Sequence, residues 1–292
     1  MMKILKTRII AGIFLYLLIA PASHWSGEEE TREDAVARYI SYLSGHSVQL
    51  KRIAVRKLGG YKDSRSVSPL IRALGDSDYE VRFYARKALG ELGNLALRKV
   101  IMSLKTGKAI VRKGCAGVLG DMGLEDSIPA LKESLSHDRD GEVRSAAADS
   151  LGRIGHEDGV DVLVQAMKDK KWRVRSSSAR ALGLIGGSRA VETLIQGLKD
   201  SNSYVRVHSA GALGKIKDRK AVPQLIRLLK DGNPEARETA AWALGKIADK
   251  RAVKPLLNSL LKDGSPNVRK EAREALKRLG YSSQDIDEIQ NR

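Results

Sequence analysis

Cysteine is almost missing from this chain: 292 residues contain one, Cys115. A single thiol excludes a disulfide framework and any zinc site built from several thiolates. Aromatic residues are scarce as well, at 4%. Acids are outnumbered, 35 against 52 Lys and Arg, which gives a formal charge of +17. No Gly-rich phosphate loop is present, and no Ser, His and Asp stand in an order that carries meaning. No pair of carboxylates is set apart from the repeating pattern described below. No stretch alternates with period two for long, so strands are not expected. The five His residues (His24, His46, His137, His156 and His208) are scattered, and none has metal-ligand spacing to another. Apolar residues still make up 42%, enough to fold and too much for a disordered chain.

A long apolar run is also lacking. The longest, Ile9 to Ala20, has 12 residues, short of the roughly 20 that span a bilayer as a helix. Lys3, Lys6 and Arg8 precede it, and Ala20-Pro21-Ala22 follows it. A basic start, a short apolar run and an A-x-A site predict a signal peptide over 1–22, cleaved near Ala22. An uncleaved membrane anchor is the alternative. The chain is therefore expected in the periplasm, the cell envelope or outside the cell. Residues 23–30 are polar and read as a linker.

What is abundant is a repeat. The pattern V-R-x-x-A-x-x-A-L-G runs through Val81-Arg82, Val111-Arg112, Val143-Arg144, Val174-Arg175 and Val205-Arg206, then Ala236-Arg237. Leu50-Lys51 begins a degenerate first copy, and Val268-Arg269 begins a last copy without its Gly. The consensus glycines, from Gly59 to Gly245, step by 31, 30, 32, 31, 31 and 31 residues. Such a period predicts a solenoid and overrides the two domains that length alone suggests. Each copy holds two helical patterns. The first is apolar at i, i+3, i+4 and i+7, as in Val222, Leu225, Ile226 and Leu229. The second carries small residues, as in Val81, Ala85, Ala88, Leu89 and Leu92. Its consensus Gly lies inside the helix and reads as a close backbone contact between copies. The expected fold is all-α: an α-solenoid of about eight helical hairpins over 31–280, winding as a right-handed superhelix. A polar capping segment follows over 281–292, where Ser282 and Asp285 have capping-box spacing.

The phrase from Ala221 to Asp231 (AVPQLIRLLKD), followed by Ala236-Arg237 and Ala243-Leu244-Gly245-Lys246-Ile247, resembles the HEAT-like repeat of the phycobilisome lyase type. That class includes bilin lyase subunits, deoxyhypusine hydroxylase and many scaffolds, so the resemblance implies the fold more than the function. The hydroxylase's iron-binding His-Glu pairs would fall two and three places after the consensus Val. Those places hold Phe83-Tyr84, Lys113-Gly114, Ser145-Ala146, Ser176-Ser177, Val207-His208, Glu238-Thr239 and Lys270-Glu271, with no such pair. His156-Glu157 falls between repeats. No cofactor, metal or catalytic residue is expected.

Two sets of residues remain. Arg82, Arg112, Arg144, Arg175, Arg206, Arg237 and Arg269 recur in every copy after the degenerate first, with Asp76, Asp138, Asp169, Asp200, Asp231 and Asp263 five places before the consensus Val and Thr106 in the odd copy. A residue present in every copy serves the repeat, so these are read as a structural ladder. The variable positions on the second helices are the candidate binding surface: Arg52, Arg56, Lys87, Lys113, Arg153, Trp172, Arg180, Tyr204, His208, Lys215, Trp242, Lys246 and Lys270. Resemblance to HEAT arrays implies that these helices line the concave side. The surface would serve a protein partner or, alternatively, an anionic envelope polymer or a membrane surface. Glu91, Asp121, Asp149 and Glu238 interrupt the basic stripe and weaken the polymer reading. The export signal argues against nucleic acid. The charged last hairpin reads as a solvated cap, so a monomer is expected. Cys115 stands in the small-residue column of Ala85 and Ala147 and reads as a buried, inert thiol.

Overall fold

The computed structural model describes residues 30–290, and the signal-peptide segment lies outside them. Seventeen α-helices and no strand occur among the described residues. Eight successive helix pairs account for sixteen of them. The first helices of the pairs are α1 (Arg32–Ser44), α3 (Val67–Ala73), α5 (Asn94–Thr106), α7 (Ile128–His137), α9 (Val160–Ala166), α11 (Ser188–Gly197), α13 (Val222–Leu228) and α15 (Val253–Lys262). The second helices are α2 (Val48–Tyr61), α4 (Tyr79–Leu92), α6 (Ala109–Met122), α8 (Gly141–Ile154), α10 (Trp172–Ile185), α12 (Ser203–Ile216), α14 (Pro234–Ile247) and α16 (Pro266–Arg278). A last helix, α17 (Ser283–Gln290), ends the array. No helix among the described residues is long and apolar enough to cross a membrane.

The chain divides into two compact units, Met1–Ala96 and Leu97–Arg292, with the division inside α5. In the first unit α2 packs on α1 and α4. In the second, α6, α8, α10, α12, α14 and α16 pack each on the next, and each of α7 through α15 packs against the second helix of its own pair. One aliphatic core runs through this unit, filled by Leu119, Leu151, Leu182, Leu213, Leu244 and Leu276 from the second helices. Leu131, Leu163, Leu194, Leu225 and Leu256 meet them from the first helices.

Helix starts follow from the sequence. Asp140 and Asn233 sit just before α8 and α14, and their side chains accept the first free backbone N–H groups. Pro129 and Pro223 fall at the second position of α7 and α13, where a missing N–H costs little. At the last helix Ser282 Oγ accepts from the Asp285 backbone, and the Asp285 carboxylate accepts from the Ser282 backbone in return. Ile286 is then fully buried.

The consensus glycines let neighbouring second helices approach closely. A Cβ on Gly183 would lie 2.7 Å from the Ala212 Cα, and one on Gly152 would lie 2.7 Å from the Ala181 Cα. Both are shorter than a non-bonded carbon–carbon contact, so a side chain at either position would push the neighbouring helix away.

Candidate functional site

The ladder residues meet one another across repeats. In the second unit Arg112, Arg144, Arg175, Arg206 and Arg237 each make two hydrogen bonds, through Nε and Nη2, to the carboxylate of the following repeat. The acceptors are Asp138, Asp169, Asp200, Asp231 and Asp263, at 2.6–3.0 Å. Nη1 of each Arg donates to a carbonyl of its own repeat, Gly107 for Arg112 and the ladder Asp for the rest. Each Asp also accepts the backbone N–H two residues on. Burial pushes the Asp138, Asp169, Asp200 and Asp231 carboxyls up. The guanidinium and backbone donors outweigh it and hold all four below the ordinary carboxylate range. Arg269 donates to the Asp263 carbonyl, and Arg82 to those of Asp76 and Ser77. In the first unit Lys51 takes the Arg place and meets Asp76 at 2.8 Å. Bidentate geometry and partial burial make the ladder a device for joining repeats.

The candidate surface residues do not form one stripe. They fall in three rows along the second helices: Arg52, Lys113 and Lys270 nearest the helix starts; Arg56, Lys87 and Arg180 midway; Arg153, Lys215 and Lys246 at the helix ends. Six of these nine cations have carboxylate partners. In the first unit Arg52 meets Asp78 and Glu80, Arg56 meets Glu80, and Lys87 lies 4.0 Å from Glu91. In the second, Lys113 meets Glu142, Arg153 lies 3.8 Å from Asp121, and Arg180 meets Asp149 at 2.5 Å. Three of the acids that interrupt the stripe, Glu91, Asp121 and Asp149, are thus counter-ions to their neighbours. Lys215, Lys246 and Lys270 are exposed, with no carboxylate in ion-pair range among the described residues.

The aromatics are brought together more closely than spacing suggests. Trp172 opens α10 and stacks on Tyr204 of α12, ring centroids 5.2 Å apart and planes 17° apart, with the Arg173 guanidinium over the indole. Tyr204 is half exposed. Trp242 of α14 lies against Gly214 of α12, and Lys246 sits over its ring at 5.7 Å. His208 is half-buried, and its Nδ1 shares a hydrogen bond with Ser176 Oγ at 2.5 Å. Burial, then the Arg180 charge, pushes the imidazole below its ordinary value, so the ring is neutral at pH 7. In the first unit Tyr79 and Phe83 stack on the outer side of α4. Five exposed aliphatic residues, Leu95, Met102, Ile110, Leu184 and Leu261, were not singled out by the sequence pattern.

Cys115 is fully buried, and burial pushes its thiol up to about 12. No group of three His, Cys, Asp or Glu among the described residues is arranged to hold a metal ion.

Successive helix pairs, packed one on the next and in the second unit joined by an Arg–Asp ladder, define an α-solenoid of HEAT repeats. The HEAT-repeat family matches residues 36–108, 96–152, 133–198 and 191–277, and the chain belongs to it. A stretch of 123 residues is 37% identical to phycocyanobilin lyase subunit alpha from a Picosynechococcus strain, covering 39% of this chain and 44% of that protein. The crystal structure of the Escherichia coli protein YibA has a TM-score of 0.60 at 19% identity, over 91% of this chain and 98% of that one. An engineered protein has a TM-score of 0.51 at 23% identity, over 94% and 85%. Both share the fold.

Proposed function

We propose that the protein is a non-catalytic adaptor that holds a protein partner on the outward face of its second helices, and that it does so outside the cytoplasm, as residues 1–22 suggest. One observation carries this reading. The residues that recur from copy to copy are consumed in packing and in the ladder, whereas the outward positions differ from copy to copy and carry the Trp172–Tyr204 stack, in which Tyr204 is half exposed and Trp172 is partly buried. Exposed aromatics are strong contributors to protein–protein binding. Neutralisation of six of the nine surface cations argues against a simple electrostatic surface for polymers or lipid.

The test is affinity capture from an envelope fraction of the native host, with the partner quantified by mass spectrometry. Trp172→Ser with Tyr204→Ser is expected to abolish recovery of the partner without lowering the melting temperature by more than a few degrees. Recovery that survives the double substitution but vanishes at high salt would replace this reading with the polymer or membrane one. The likeness to a bilin lyase subunit carries a second reading, an accessory role in attaching a chromophore. That role requires visible absorbance, or bilin binding, in the purified protein.

A further inference from the structure

The consensus glycines in the second unit are not equivalent. Gly120, Gly152, Gly214 and Gly245 are buried, whereas Gly183 is half-buried. At the four buried ones a side chain from the next helix lies close: Arg153, Leu184, Trp242 and Arg278 in turn. At Gly183 the three nearest atoms all belong to Ala212. The two positions of α12 able to cover it hold Gly211, which has no side chain, and Lys215, which is exposed. The outward face is therefore indented at α12. Leu184, 52% exposed, borders the indentation on the α10 side, and the Trp242 ring over Gly214 borders it on the α14 side. Lys215 and Lys246 stand on adjacent helices at the same level, without carboxylate partners.

We infer that this indented patch docks an extended acidic segment of the partner, with acids about three residues apart and an apolar side chain between them. The inference rests on the adaptor reading above and specifies the partner's chemistry. Charge selects the occupant: the two unneutralised cations are one helix apart, and the apolar surface lies between Leu184 and Trp242. Packed helices are spaced by about 8–10 Å. A chain in the polyproline II conformation rises about 3.1 Å per residue with about three residues per turn, so residues three apart share a face and cover one helix spacing. Acids at that interval reach Lys215 and Lys246 in turn, while the side chain between them enters the indentation over Gly211.

The experiment measures fluorescence anisotropy of labelled 12-residue peptides on the full chain. One peptide carries Glu at every third position with Leu between; the other has the same composition with its Glu in one block. The spaced peptide is expected to bind at least about tenfold more tightly than the block peptide. Gly211→Leu fills the indentation, and a Cβ there meets only Thr239 Cγ2 at 3.8 Å, so a melting temperature close to the parent's is expected. It is expected to lose about tenfold in affinity, as is Lys215→Gln with Lys246→Gln, whereas Lys113→Gln with Lys270→Gln changes it less than about twofold. Equal binding of the block peptide, equal competition by anionic phosphatidylglycerol vesicles, or no binding at all would overturn the inference. So would a lower melting temperature for the Lys215/Lys246 variant with unchanged binding, since both lysines lie in last turns where a cation suits the helix dipole. Partner capture that still depends on Trp172 and Tyr204 would leave the adaptor reading standing in each of these cases.

Discussion

A single column of the second helices shows how tightly the repeat constrains one residue. Cys115, Ser178 and Ser209 occupy the place held elsewhere by Ala85, Ala147 and Ala240, and all are fully buried. The hydroxyls of Ser178 and Ser209 have no hydrogen-bond partner. A buried unsatisfied hydroxyl costs about 1–3 kcal/mol, so Ser178→Ala and Ser209→Ala should each raise stability by about 1 kcal/mol. Urea unfolding followed by circular dichroism reads this directly. Glycines give the opposite contrast. At Gly183 an added methyl would press on the Ala212 backbone, and Gly183→Ala should cost about 1–3 kcal/mol. At Gly211 the methyl meets nothing closer than 3.8 Å. Gly211→Ala should therefore gain about 0.5–1 kcal/mol from reduced freedom of the unfolded chain. Paired thermal melts of the two variants, moving in opposite directions, are the expected result.

Among elements, the ladder makes the sharpest prediction. Its carboxyls have folded-state values below the unfolded ones. Their contribution is complete above the unfolded Asp value of about 3.9 and is lost as pH falls through the lower folded values. The melting temperature should be flat from about pH 5 to 8 and drop steeply below about pH 4. In Asp200→Asn that drop should be shallower, because one titrating rung is gone. Arg206→Met removes the bidentate bonds and strands Asp231, at a cost of about 2–4 kcal/mol.

The ladder's members could be named in advance because they recur with the period. The helix pairs could be named because apolar spacing and the Asp, Asn and Pro starts agree. Side-chain pairing across neighbouring helices was hidden. Nothing in one sequence says that Arg180 reaches Asp149, or that Trp172 turns onto Tyr204, since these contacts join variable positions 31 and 32 residues apart. The indentation at Gly211 was hidden for the same reason: it exists only through what α10 and α14 place beside it.

For the molecule as a whole, five successive arginines of the second unit, from Arg112 to Arg237, each grip their own repeat with one nitrogen and the next repeat with two others. The joint therefore has a direction, and the copies that begin at Val143, Val174, Val205 and Ala236 each present the same socket before and the same plug behind. Links built this way can be counted out or spliced in. Excising residues 170–200 would set Asp169 directly before Ser201, leave Arg144 with Asp169 and leave Arg206 with Asp231. The shortened chain should fold cooperatively, with helical circular dichroism reduced in proportion and a melting temperature within about 10 °C of the parent, since each repeat depends only on its neighbours. It would also lose Trp172, Arg180 and Leu184 together, so a change in copy number would alter what the protein recognises while leaving its architecture in place.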